Sequence, residues 1–396
     1  MNAWWGGDAA FRLARDFVAA ELRRLRPDTR IDWTAWAAAT PLDDAPGGLD
    51  CDSLELMQIA TAFSQAFGLD RAGIDDYLLA RRKLGDWAAL LAQAREMDDA
   101  TLVFYSSGST GAPTPVRHRL SALDDELEAV GTEIGSPRRI LAAVPAHHIY
   151  GFLFTVLLPA QLAIINVDIR SSPPSALTRE MKAGDWVIGH PAFWESVAGL
   201  DLEPQGEALA LCSTGPISGA TRGRLQAAGW RGVEIYGSTE TAGIGLRPFG
   251  AKTYALLAVW RRTAQDRLER LAGGDIVEPP DALHWLGERE FELLGRKDEA
   301  VQVAGHNVYP DKVADVLRAH PQVAEAAVRP TRGGDGTRLK AFIVPATSPD
   351  EADDLRPALE RWIAERLPPL ERPRSLRFGA SLPCTETGKL ADWLET

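Results

Sequence analysis

Between Tyr105 and Pro113 the chain carries three hydroxyls, on Ser107, Ser109 and Thr110, and two glycines, Gly108 and Gly111. Glycine lets a backbone come close to a phosphate, while hydroxyls and amide N–H groups donate to its oxygens. The apolar run Thr101–Tyr105 predicts a buried strand feeding this loop. Flexible linkers share the same Ser/Gly composition, so the loop acquires meaning only from what accompanies it. The other side chains suited to chemistry are Ser53, the pair His147 and His148, Thr239 and Glu240, and the late Lys389. Two adjacent histidines suggest a metal, but no further ligands follow at metal-site spacing.

The elements that must position these residues fall into three regions. The length of 396 residues suits two or three domains, and a hydrophobic content of 45% allows well-filled cores. Residues 8–26 predict an amphipathic helix with Phe11, Leu13, Ala14, Phe17, Val18 and Leu22 near one face and the charged residues elsewhere. A second helix runs through Phe67, capped by Asp52 or Ser53 and ended by Gly68. Shorter helices near Asp75–Arg81 and Leu84–Ala94 complete a four-helix unit, and the polar break Glu96–Ala100 marks its end. Beyond it, Ile140–Val144, Ala163–Val167, Trp186–Ile188, Ala208–Cys212 and Val233–Tyr236 predict buried parallel strands with helices between them. In such a sheet the site forms from loops at the strand ends. From Phe291 a smaller α+β unit is expected: a hairpin-like stretch to Val303, a helix Asp311–Ala319, strands Ala324–Val328 and Leu339–Val344, and a helix Asp354–Arg366. There is no internal repeat.

Composition excludes several classes. With 55 acidic against 43 basic residues the net charge is −12, and no basic tract offers a nucleic-acid surface. Cys51, Cys212 and Cys384 are scattered, without disulfide-framework or metal-site spacing. The N-terminus lacks a signal-peptide pattern, and the most apolar stretch, residues 140–167, is broken by His147, His148, Pro159 and Gln161. A cytoplasmic protein without a membrane span is expected.

Residues 8–95 resemble an acyl or peptidyl carrier domain, on Asp52-Ser53-Leu54 with Leu56, Ile59, Ala62, Phe63 and Phe67 on the following helix. The resemblance implies a 4′-phosphopantetheine arm on Ser53, installed by a phosphopantetheinyl transferase. A phosphodiester suits a helix N-terminus, where free amides and the helix dipole favour negative charge.

Residues 100–396 resemble the adenylate-forming superfamily of acyl- and aryl-CoA ligases, peptide-synthetase adenylation domains and luciferases. The resemblance rests on an ordered set: Ser106-Ser-Gly-Ser-Thr-Gly-Ala-Pro113, Tyr236-Gly-Ser-Thr-Glu-Thr241, Gly295-Arg-Lys-Asp298 with Val303-Ala-Gly305, and Thr387-Gly-Lys389. It implies that ATP and a small-molecule carboxylic acid give an acyl-adenylate, from which a thiol takes the acyl group. Ser107, Gly108, Ser109, Thr110 and Gly111 would hold the outer phosphates, Thr239 the α-phosphate, and Glu240 a Mg²⁺ ion. Ser213, Thr214, Gly215, Tyr236 and Gly237 would flank the adenine, and Arg296 the ribose or phosphates. Lys389 would stabilise the transition state, and His148 would precede the acyl pocket. Asp298 would be the hinge of a mobile C-terminal domain, and Gly305 would lie on the thiol's route. Gly273-Gly-Asp275 is favoured for the ribose hydroxyls, although Asp281 has the more usual spacing to Arg296. The lysine that commonly follows the phosphate loop is Thr114 here, with Arg117 or Arg119 as possible substitutes.

Together these features imply a multidomain protein: residues 1–97 a four-helix carrier-like bundle, 98–294 an α/β adenylation core, and 295–396 a small α+β domain. The expected activity is ATP-dependent ligation of a carboxylic acid, of aryl type, to the phosphopantetheine thiol of a carrier, acting in cis or in trans. Two alternatives are a stand-alone ligase using free CoA and a non-catalytic binding module on the same fold.

Overall fold

The structure, a computed structural model, describes residues 3–6, 8–26, 29, 31–106, 114–215, 217–279, 281–296, 301–303, 306–331, 338–346, 352–384 and 390–393. The chain divides into two compact units, one of Met1–Glu278 with Leu286–Phe291, the other of Pro279–Trp285 with Glu292–Thr396.

The first unit opens with five helices: α1 (Asp8–Leu25), α2 (Ser53–Phe67), α3 (Leu69–Ala72), α4 (Tyr77–Ala80) and α5 (Leu84–Met97). Asp52 is the N-cap of α2. Its carboxylate accepts from the N–H groups of Leu54 and Glu55, while the Glu55 carboxylate accepts from the Asp52 N–H in return. Gly68 ends α2 in the left-handed conformation. Phe17 of α1, Phe63 and Phe67 of α2 and Trp87 of α5 pack edge to face or tilted, with centroids 4.7–5.6 Å apart.

The structure shows where several of the charged residues of α1 go. Asp16 is 2% exposed, and its carboxylate accepts from the Ala146 N–H at 2.7 Å, 130 residues away. Arg12 donates to the Thr155 carbonyl and Arg15 to Asp168. Asp16, Arg12 and Arg15 of α1 thus lie against later parts of the chain, where each finds a partner. The helices accordingly share one unit with the sheet that follows, rather than forming a separate bundle up to residue 97.

Strands β1 (Thr101–Ser106) and β2 (Thr114–Arg119) pair antiparallel, with Ser106 opposite Thr114. Helix α6 (Leu120–Ile134) leads to β3 (Arg139–Ala142). A helical stretch follows as α7 (Ile149–Phe152), a π-helical turn at Leu153–Leu157 and α8 (Leu158–Leu162). Then come β4 (Asn166–Asp168), α9 (Leu177–Glu180), β5 (Asp185–Gly189), α10 (Pro191–Gly199), β6 (Leu209–Cys212), α11 (Gly219–Ala227) and β7 (Arg231–Ser238). Strands β4, β3, β5, β6 and β7 lie parallel in that order. The expected strand 163–167 is displaced to β4, since Ala163 takes the left-handed conformation that closes α8. Strands β8 (Ala242–Pro248), β9 (Tyr254–Leu256) and the start of β14 (Glu290–Arg296) extend the sheet antiparallel. A small antiparallel sheet holds β10 (Trp260–Arg262), β11 (Leu268–Arg270) and β12 (Ile276–Val277).

The second unit contains β13 (Asp281–Trp285), β15 (Val301–Val303), β16 (His306–Val308), α12 (Pro310–Arg318), β17 (Val323–Thr331), β18 (Arg338–Pro345), α13 (Ala352–Arg366) and β19 (Ser375–Phe378). Among the described residues, the hairpin expected from Phe291 to Val303 is not seen. β14 pairs with β9, whereas β15 pairs with β16. Val313, Leu317, Leu339, Ile343, Leu359 and Ile363 make the core between the two helices and the sheet. No helix among the described residues is long and apolar enough to cross a membrane.

Asp99 ties the end of the helical layer to the N-terminus by accepting from Trp4 Nε1 at 3.0 Å. Burial pushes its carboxyl up to about 6. An unfolded aspartate ionises near 4, so between those values the folded state holds the extra proton and stability falls as pH rises. An asparagine in its place would still accept from Trp4 without the half-buried charge. Asp99→Asn should therefore match the parent in thermal melts near pH 4 and exceed it by a few degrees above pH 6.5; a constant difference across pH would disprove this account.

Candidate functional site

The carboxyl ends of parallel strands all face one edge of the sheet, where open α/β folds bind ligands. Here that edge carries, in spatial order, the loop after β3 with His147 and His148, His190 after β5, Ser213-Thr214-Gly215 after β6 and Ser238-Thr239-Glu240 after β7. The β3 and β7 loops are three strand intervals apart, roughly 14 Å. The structure therefore brings His148, Ser213, Thr214, Gly215, Thr239 and Glu240 onto one edge.

The turn after β7 is tightly built. Thr241 is buried, and its hydroxyl oxygen accepts from the Ser238 N–H at 3.1 Å. A Cβ on Gly237 would lie 2.0 Å from the Ala242 carbonyl oxygen, so only glycine fits. This leaves Thr239 half-buried and Glu240 exposed at the tip. The Thr239 carbonyl accepts from His118 Nε2, 2.7 Å away on β2. Burial lowers the His118 pKa, against the pull of that carbonyl, so the ring acts as a neutral donor. Behind the turn, Gly243 N–H donates to Glu126 of α6 at 2.8 Å, and Glu126 pairs with Arg270 at 2.9 Å. Burial raises the Glu126 pKa, opposed by Arg270.

Beside it, the Ser213 hydroxyl donates to the Ile235 carbonyl at 2.8 Å, and Thr214 takes a positive φ of 76°. Tyr236 is buried, with its ring 5.8 Å from both Tyr254 and Phe291.

At the other end of the row the His147 and His148 rings lie 3.9 Å apart. His148 is exposed, whereas His147 Nδ1 is buried with no hydrogen-bond partner among the described residues. Burial holds the His147 ring well below its usual pKa, helped by His148, Arg170 and Arg23. A Cβ on Gly151 would meet the Pro145 carbonyl oxygen at 1.8 Å, which fixes how closely the helix follows the loop. His190 caps α10 by accepting from the Phe193 N–H, and burial lowers its pKa.

Other expected site residues are placed differently. Asp275 precedes β12 and forms an ion pair with Arg119 of β2, while Asp281 begins β13 in the second unit. Arg296 ends β14. Ser53 is exposed in the first turn of α2, with Asp52 as the cap. Ser107, Gly108, Ser109, Thr110, Gly111, Asp298, Gly305 and Lys389 lie outside the described residues. No group of three or more His, Cys, Asp or Glu side chains among the described residues could hold a metal ion.

Sequence reasoning passed over His118, the buried Asp16 and its partner Arg170. His118 is the next-to-last residue of β2, in an ordinary alternation with no motif to mark it. A mid-helix aspartate between apolar positions is the only signal Asp16 offered.

The family model of AMP-binding enzymes matches residues 51–263, and that of the AMP-binding enzyme C-terminal domain matches residues 312–389. This chain belongs to the AMP-binding enzyme family. It is an adenylate-forming ligase, and the family match begins at Cys51, so it takes in Ser53 and α2 to α5 rather than starting after them. A 4-coumarate–CoA ligase of Halorhodospira halophila is 38% identical over 97% of this chain and 98% of its own length. One of Cereibacter sphaeroides is 39% identical over 98% and 96%. Among solved structures, o-succinylbenzoate-CoA synthetase of Bacillus subtilis has a TM-score of 0.58 at 18% identity, covering 74% of this chain and 69% of that one. ATP-bound MatB of Rhodopseudomonas palustris has a TM-score of 0.64 at 18% identity, covering 96% and 91%. These structural likenesses speak for the AMP-binding enzyme fold.

The His118 bond is open to test. Replacing His118 with Phe keeps a ring but leaves the Thr239 carbonyl without its donor, at a cost of about 1–3 kcal/mol. Denaturant unfolding should show that loss, and His118→Gln, which retains an N–H donor, should recover most of it. Equal losses for both variants would mean that shape, not the hydrogen bond, matters.

Proposed function

We propose that this enzyme ligates an aromatic acid of the 4-coumarate kind to free CoA. The observation that carries the reading is the end-to-end similarity to 4-coumarate–CoA ligases, which extends through the helical region as well as the sheet. In the first half-reaction a carboxylate oxygen attacks the α-phosphorus of ATP, the bond to the β-phosphate bridge breaks, and pyrophosphate leaves. In the second, the CoA sulfur attacks the activated carbonyl and AMP leaves.

The carboxyl edge of the sheet suits this chemistry, which chiefly needs positioning and charge neutralisation. Thr239 would meet the α-phosphate, Ser107 to Gly111 the outer phosphates, and Ser213, Thr214, Gly215, Tyr236 and Gly237 the adenine side. Asp275 or Asp281 would bind the ribose. Asp275 also pairs with Arg119 at the surface. His148 would face the acid. Mg²⁺ fits the donors present: Glu240 is one exposed carboxylate, and this hard ion commonly takes one or two carboxylates plus phosphate oxygens. When bound, it supplies charge neutralisation of the phosphates. Lys389 would stabilise the transition state of the first half-reaction, with Arg296 near ribose or phosphate. The C-terminal domain would turn about Asp298 to bring Gly305 to the thiol's route in the second.

The carrier reading of residues 1–97 weakens on two counts: Ser53 belongs to a helix inside the first unit, and relatives named CoA ligases share that region. Its exposed position at the start of α2 keeps Ser53 worth testing.

Acid-dependent ATP–pyrophosphate exchange, followed by thioester formation with CoA, should be seen with 4-coumarate and not with a long-chain fatty acid. Lys389→Ala should lower exchange by about 10²–10³-fold. Ser53→Ala should keep full activity, and incubation with CoA and a phosphopantetheinyl transferase should add no mass. A mass gain lost in Ser53→Ala, with acyl transfer to that arm, would restore the carrier instead.

A further inference from the structure

The segment proposed to face the acid is gripped on both sides by α1. Before it, the Asp16 carboxylate accepts from the Ala146 N–H at 2.7 Å. After it, Arg12 donates to the Thr155 carbonyl at 2.8 Å, inside the π-helical turn, where Asn166 Nδ2 also donates at 2.6 Å. Such turns interrupt the regular helical ladder and are frequent at functional sites. His147, His148 and the start of the helix lie between these two fastenings.

Asp16 is itself held in a compact network. Arg15 and Arg170 donate to it at 3.1 and 2.9 Å, and both also reach Asp168, at 2.7 and 2.5 Å. Both guanidinium carbons lie over the ring of Trp33, 4.4 and 4.1 Å from its centroid. Burial would raise Asp168, but the hydrogen bonds from Arg170 and Arg15 outweigh it and hold the carboxylate at about 2. The network stands at the carboxyl ends of β3 and β4, on the functional edge of the sheet. Its bonds run to Ala146, Asp168 and the arginines rather than to the phosphate-side residues Ser213, Thr239 or Glu240.

We infer that Asp16 is a positioning residue for acid recognition: through the Ala146 N–H it sets where His148 stands. The inference rests on the proposed reading that His148 faces the acid. α1 thereby supplies, from the start of the chain, one wall of support for the acid pocket.

The test is KM for 4-coumarate and for ATP in pyrophosphate exchange, with the full chain. An asparagine has one acceptor oxygen where Asp16 uses two, one for the Ala146 N–H and one for Arg15 and Arg170, so its amide NH2 must face one set of donors. Asp16→Asn should therefore raise the acid KM about tenfold, the order expected when a binding group shifts by a fraction of an ångström, and leave the ATP KM unchanged. Phe63→Leu, which loosens the helical layer away from the loop, should lower the melting temperature and change neither KM. Because Asp16 acts through His148, the double variant Asp16→Asn/His148→Ala should have the acid KM of His148→Ala alone. If Asp16→Asn does not fold, Arg170→Lys, which keeps the charge but loses the fork, carries the same test. An unchanged acid KM in Asp16→Asn, an equal rise in Phe63→Leu, or multiplicative effects in the double variant would each overturn the inference while leaving the ligase reading intact. An unchanged acid KM in His148→Ala would remove the acid-pocket reading, and this inference with it.

Discussion

A carboxylate buried on the side of a helix must be neutralised by neighbours, or the helix cannot dock. Asp16 meets that demand with one backbone N–H and two guanidinium groups, and in doing so joins α1 to the loop after β3 and to Arg170 after β4. The helical region becomes part of the enzyme's body. The aromatic cluster of Phe17, Phe63, Phe67 and Trp87 then holds α2 and α5 to α1. One desolvated ion network and one apolar cluster thus decide how the first hundred residues relate to the sheet.

The same logic repeats at the other end of the row of loops. Glu126 on α6 accepts from Gly243 N–H and pairs with Arg270, whose guanidinium lies 4.8 Å from the Trp260 ring centroid. His118 donates to the Thr239 carbonyl. The turn carrying Thr239 and Glu240 is therefore braced from α6, β2 and β11 at once, while its tip stays open. The proposed phosphate-side role of Thr239 and Glu240 calls for such rigid support behind an exposed tip.

Much of this was legible in the chain. The apolar runs located the parallel strands because a strand covered on both faces must be apolar throughout. The close approaches of Gly237 and Gly151 to the Ala242 and Pro145 carbonyls, by contrast, came only with the structure. Asp52 and Gly68 bounded α2 as local capping chemistry demands. The misreadings share one cause. An amphipathic pattern shows which face of α1 is apolar, but not that its charged face meets partners 130–154 residues away. The hairpin read from Phe291 to Val303 failed similarly, since strand propensity does not choose a partner. The motif around Ser53 has the local form of a carrier's, whereas its context is that of an enzyme domain.

By itself, then, the sequence determined the features set within a turn or two of each residue: caps, strand runs, glycine-dependent turns and the ordered motifs of an adenylate-forming ligase. Tertiary structure alone decided which loops share the sheet's edge, that Asp275 pairs with Arg119, and that Asp16 lies buried against two guanidinium groups stacked on Trp33. Local preferences arise from neighbouring backbone groups and are written in adjacent letters. Burying a charge depends on compensation from distant residues, and that balance exists only once the chain has folded.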